Sequence, residues 1–194
     1  MSEFVFLYRG GEAGRSPEKG LNEGYHDASG DLRSLFEQDR SRWDTTLIVE
    51  GERLLDLAAT GPELTEYHLE AAIAWVHTTA HGAEDTNWGM IVTFYDKLMD
   101  LRPSPVVALN RAIAIAQRDS PQRGIEEIRA IANSDRLAAY PFYHAALGEF
   151  ELRSGRHVLA REHFLTALKF ARNPMERRFI EQRVGACKTG PGVG

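Results

Sequence analysis

From about residue 40 onward, apolar side chains return every three to four positions, the interval that gathers them on one face of an α-helix. Leu47, Gly51, Leu54, Leu55 and Ala58 make a first stripe, expected to face the core. Leu69, Ala72, Ile73, Val76 and Ala80 make a second, between the Gly61-Pro62 break and Gly82. Trp88, Ile91, Val92, Tyr95, Leu98 and Met99 make a third, opened by a cap at Asp85 or Thr86. Ser104-Pro105 and Ser120-Pro121 each set a hydroxyl cap before a first-turn proline, which predicts a helical pair lined by Val106, Leu109, Ile113 and Ala116 and by Ile125, Ile128 and Ile131. Two more helices, Tyr140 to Leu152 and Val158 to Ala171, meet at Ser154-Gly155, where glycine can adopt the left-handed helix-ending conformation. Asn173-Pro174-Met175-Glu176 then resembles a capping box that opens a last, basic helix.

The opening of the chain has no such period. Phe4-Val5-Phe6-Leu7-Tyr8 reads as a strand, but Gly10, Gly11, Gly14 and Gly20 break any element after it and no partner strand is in view. The expected organisation is an irregular segment over 1–37, an α-helical domain over 38–188 and a flexible tail over 189–194.

Composition fits that picture: of 194 residues, 43% are hydrophobic and 26% charged, enough for a contiguous core and too structured for a disordered or low-complexity chain. No run approaches the roughly 18 apolar residues of a membrane helix and no secretory signal is visible, so a cytoplasmic location is expected. One cysteine, Cys187, offers neither a disulfide nor a paired metal site. The net charge of −5 divides unevenly: residues 1–101 hold 8 Lys/Arg against 19 Asp/Glu, and residues 102–194 hold 15 against 9. Such a split suits faces that meet oppositely charged surfaces better than a protein that coats nucleic acid.

The search for reactive groups returns little. His77 and His81 lie four apart on a predicted helix, as zinc ligands do, but Thr78 stands where the catalytic version carries glutamate. No nucleophile elbow, phosphate loop or dinucleotide fingerprint is present, so no catalytic residue, metal or cofactor is expected. In Asp39-Arg40-Ser41-Arg42-Trp43-Asp44, the acids suit a helix start, the arginines can pair with them and the tryptophan can anchor the turn. Arg172, Arg177, Arg178, Arg183 and Lys188 make the last helix basic, but the sequence shows no aromatics interleaved with them, so an acidic protein surface is at least as good a partner as phosphate.

Leu147 and Gly148 followed by Ala160, Phe164 and Ala167 resemble a tetratricopeptide repeat (TPR), in which small and large residues interlock two helices. Glu151 stands where a tyrosine is usual, and the pair that begins at Ser104 fits more loosely through Ala112, Gly124 and Ile128. The fold class expected is therefore all-α, with antiparallel helical hairpins stacked as a degenerate TPR-like right-handed superhelix.

A longer set of residues resembles the C-terminal TPR-like extension of bacterial extracytoplasmic-function (ECF) RNA polymerase sigma factors. It runs from Gln38 to Asp44 through Leu47-Ile48, Glu50-Gly51, Ala71 to Ala74 and Val76-His77 to Trp88. It continues in Pro103-Ser104-Pro105-Val106-Val107-Ala108-Leu109-Asn110-Arg111-Ala112, Tyr143-His144-Ala145, Gly155-Arg156 and Glu176 to Ile180. The resemblance implies a regulatory or supporting role in transcription initiation, with sigma-factor core domains or RNA polymerase as partner and DNA reached only indirectly. Both DNA-reading domains are lacking, and Asn22-Glu23-Gly24-Tyr25 is similar to the junction that comes after them, so a truncated or rearranged sigma-factor product is expected. The opening from Phe4 to Glu18 is similar to the start of small YCII-related proteins. Candidate partner contacts are Trp43, Ser104, Asn110, Arg111, His144, Arg177 and Arg178. The alternative is a free-standing TPR-like scaffold that binds a peptide or small ligand, unrelated to transcription.

Overall fold

A computed structural model describes residues 40–58 and 63–189. The expected strand at Phe4 to Tyr8, the junction at Asn22 to Tyr25 and the last five residues lie outside them. Among the described residues every regular element is helical: α1 (Thr45–Ala58), α2 (Glu66–Thr79), α3 (Trp88–Leu101), α4 (Pro105–Arg118), α5 (Pro121–Arg129), α6 (Pro141–Arg153), α7 (His157–Lys169) and α8 (Pro174–Ala186), with short 3₁₀ turns at Arg40–Arg42, Ser134–Leu137 and Cys187–Thr189. No helix among them is long and apolar enough to cross a membrane. The chain forms two compact units, Met1–Val107 and Ala108–Gly194.

Local chemistry sets most helix starts. Ser104 Oγ accepts from Val107 N at 3.1 Å and Ser120 Oγ from Arg123 N at 3.2 Å, so both Ser-Pro steps cap as expected. Asn173 Oδ1 accepts from the backbone N–H of Met175 and Glu176, while Glu176 reaches back to Arg172 N instead of the cap residue. α3 differs from expectation, because Asn87 is its cap and accepts from Met90 N. Thr86 is instead buried, its hydroxyl donating to Gly82 O at 2.8 Å.

In the first unit α2 packs on α3, with His77 against Trp88 at one end and Glu66 paired with Arg102 at the other, which makes the two antiparallel. Leu69, Ile73, Val76, Ile91, Val92, Tyr95 and Leu98 fill the space between. The first stripe departs from expectation. Leu47, Gly51 and Leu54 are exposed, Leu55 is half-buried, and no described side chain of α1 is fully buried. The helix forms, but α2 covers it only along Ile48, Glu52 and Leu55, and Trp75 Nε1 donates to Glu52 across the pair.

The second unit carries the TPR-like pattern. Contacts between His144 and Phe170, Gly148 and Phe164, and Glu151 and Arg156 step toward the turn, so α6 and α7 are antiparallel. Gly155 makes the turn with φ +75°, a conformation that costs other residues steric strain. Leu147, Ala160, Phe164 and Ala167 are buried as the signature predicts. Gly148 lets the Phe164 ring approach to about the distance at which a side chain on α6 would collide with it. Glu151 is also buried, and its carboxylate lies between Arg156 and Arg129, 3.6 Å from the latter. The two arginines compensate the buried charge at this position.

Candidate functional site

The sequence-selected residues fall in three places. Trp43 sits in the first unit, where the Arg40 guanidinium lies 5.3 Å from its ring centroid. Arg40 is buried, and its Nη1 donates to His77 O at 2.8 Å, Ala80 O at 3.4 Å and Thr86 Oγ1 at 3.1 Å. It therefore supplies a cation to the last carbonyls of α2, where the helix dipole is negative. Burial pulls its pKa below the usual guanidinium range, while the Glu84 and Asp85 carboxylates act the other way. Asp44 caps α1, its carboxylate accepting from the backbone N–H of Thr46 and Leu47. This polar segment is thus a corner piece that ties the chain before α1 to the α2–α3 turn.

Ser104 is engaged as the α4 cap. Asn110 is buried on α4, and its side-chain oxygen has no hydrogen-bond partner among the described residues. Arg111 pairs with Glu127 of α5 at 2.9 Å, part of a small network that also takes in Arg123. These contacts hold α4 to α5. His77 is buried against Trp88, with ring centroids 5.4 Å apart, and His81 lies beyond the end of α2, exposed. The shared helical face imagined for the two histidines therefore does not form, because α2 ends at Thr79. Among the described residues no group of three or more His, Cys, Asp or Glu is placed to hold a metal ion. Cys187 is buried with its thiol toward Arg183 O, and burial pushes its pKa up from 9.0.

The remaining three candidates share one end of the second unit. Because α6 and α7 are antiparallel, the start of α6, the end of α7 and the start of α8 come together there. His144 Nε2 donates to Ala138 O at 2.8 Å, and since a carbonyl only accepts, that nitrogen carries the hydrogen. The bond fixes the imidazole in an offset stack on Phe170, with centroids 5.8 Å apart and planes within 16°. Tyr143 meets the same imidazole edge-on at 5.2 Å. Arg172, in the α7–α8 loop, covers the Tyr140 ring at 5.9 Å, and Arg177 and Arg178 follow in the first two turns of α8. Sequence reasoning found the arginines and His144 but missed Tyr140 and Phe170, which lie 30 positions apart in the chain. Only the hairpin geometry brings them to the same end of the unit.

No family model matches the chain, and no solved structure matches it. A curated protein of Rhizobium meliloti (strain 1021), described as uncharacterized protein R00370, is 34% identical over 167 residues. The match takes in 86% of this chain and 39% of that protein, so the chain spans about two fifths of the length of the relative it matches.

Proposed function

We propose that this protein is a non-enzymatic helical interaction module of the ECF sigma-factor type, which supports or tunes transcription initiation by docking onto sigma-factor core domains or RNA polymerase. The observation that carries the reading is the apolar face of α1 and the start of α2. Leu47, Leu54 and Leu57 are 51%, 52% and 56% exposed, and Leu64 and Tyr67 are 54% and 72% exposed. Leu47, Gly51 and Leu54 lie along one side of α1, turned away from the half-buried Ile48 and Leu55. Large apolar residues exposed on one helical pair suit a protein partner that covers them.

What supports this assignment beyond general repeat likeness is the resemblance carried by the run from Pro103 to Ala112 and the segment from Gln38 to Asp44. The test is retention of sigma-factor core domains or core polymerase by the immobilised chain. A Leu54→Glu, Leu57→Glu variant, altered only at exposed positions, is expected to fold normally and lose the partner. Failure of the unaltered chain to retain either one refutes the reading and leaves the free-standing scaffold.

A further inference from the structure

The basic end of the second unit carries a binding surface of its own. We infer that the Tyr140–Tyr143–His144–Phe170 platform, with the cations around it, binds single-stranded nucleic acid by stacking bases and pairing phosphates.

Three features at this end fit that ligand together. The first is a set of aromatic rings held in place: His144 is fixed by its bond to Ala138 O, stacks on Phe170 and takes the edge of Tyr143, and Phe170 remains 36% exposed. A held, partly exposed ring can stack on any base. The second is positive charge. Arg136, Lys169, Arg172, Arg177 and Arg178 are all exposed on the segments that meet here. The Arg136 and Lys169 side chains have no ion pair among the described residues, and Arg177 meets Glu181 only at 4.0 Å between two half-exposed groups. The third is the fate of the acids. Glu176 is buried and turned to Arg172 N, so Asp135, Glu162 and Glu181 are the exposed carboxylates on these segments, against five exposed cations.

An acidic protein surface would use the cations but has no need of stacked rings. A duplex would use the cations as well, yet its bases are already stacked on each other. Single strands use both features, and Arg172 over Tyr140 adds a cation beside a ring. The family resemblance pointed only to indirect contact with DNA, and α6 and α7 must close before His144 meets Phe170. The inference requires neither a sigma core nor polymerase, so its outcome and that of the retention assay are independent.

The experiment is fluorescence anisotropy of the full chain with a labelled oligo-dT of about 12 nucleotides, against a duplex of equal length and against polyglutamate, across a salt series. Oligo-dT is expected to bind about tenfold or more tighter than either competitor. Phe170→Leu, which keeps apolar bulk at an exposed site, weakens oligo-dT by about fivefold or more, the range of one unstacked base. Lys169→Gln with Arg172→Gln lowers the slope of log affinity against log salt by about 1.4, or ~0.7 for each phosphate that no longer meets a cation. Circular dichroism confirms that each variant is folded. No oligo-dT binding at low salt, equal affinity for the duplex, or equal binding of polyglutamate with Phe170→Leu silent each overturns the inference, the last in favour of an acidic protein partner.

Discussion

Replacing Gly124 by alanine measures how tightly the second unit is packed. A Cβ built there falls 2.3 Å from the Ala116 Cβ on α4 and 2.9 Å from Cε2 of Phe150 on α6. Carbon atoms in contact rest at about 3.5–4.0 Å, so α4 and α5 must part by more than about 1 Å. The Ala116 Cβ is anchored directly to backbone and cannot rotate aside, which places the overpacking cost toward the upper part of the usual ~1–3 kcal/mol. Alanine recovers about 1 kcal/mol of helix propensity over glycine, for a net loss of about 1–2 kcal/mol. Gly51 is the matched control, since it also lies inside a helix but has nothing within 4 Å of a built Cβ. Gly51→Ala therefore stabilises by up to about 1 kcal/mol. Urea denaturation followed by helical circular dichroism reads both. If the transition resolves into two, Gly51→Ala moves the one belonging to the first unit and Gly124→Ala the other. Equal shifts, or a stabilised Gly124→Ala protein, would refute the claim that α4, α5 and α6 meet here through the absence of a side chain.

A buried and a half-buried group give further expected outcomes. Glu151→Gln removes the negative charge that Arg156 and Arg129 share, and with both arginines partly solvated the expected loss is about 1–3 kcal/mol in the same denaturation assay. Stability should also fall in mildly acidic solution because of His163, whose pKa is held below 6.5 first by burial. His144 and Arg129 lower it further, while Glu151 and Glu162 oppose the shift. The unfolded chain binds the proton more readily, so stability is full above about pH 6.5 and declines as pH drops from there toward the lowered folded value. His163→Gln should flatten that part of the profile, and a slope unchanged by it would remove His163 as the cause.

The helices were legible where the determinant is local. Ser104, Ser120 and Asn173 cap the helices they precede, Gly155 turns the α6–α7 hairpin, and the interlocking of Gly148 with Phe164 arises from their spacing. Thr86 misled because a capping hydroxyl and a buried one look alike in sequence; it serves Gly82 and Arg40, while Asn87 takes the cap. The α1 stripe misled for another reason. Periodicity shows that a helix has an apolar side, whereas burial depends on what arrives to cover it. The aromatic–basic end was the least visible, since its rings look like ordinary core in the sequence and Phe170 meets His144 only when α6 and α7 close. Asn110 is buried with an unmet side-chain oxygen that nothing in the surrounding structure explains.

The reach of Arg40 fixes where the protein can be trimmed. Its contacts to His77, Ala80 and Thr86 run 37 to 46 positions along the chain, from a residue that precedes every α-helix in the described structure. A shortened version that begins at Trp43 keeps all eight helices yet takes away the guanidinium on which the last turn of α2 depends. That turn then frays, and His77 and Trp88 loosen with it. The smallest piece worth expressing starts ahead of the first helix.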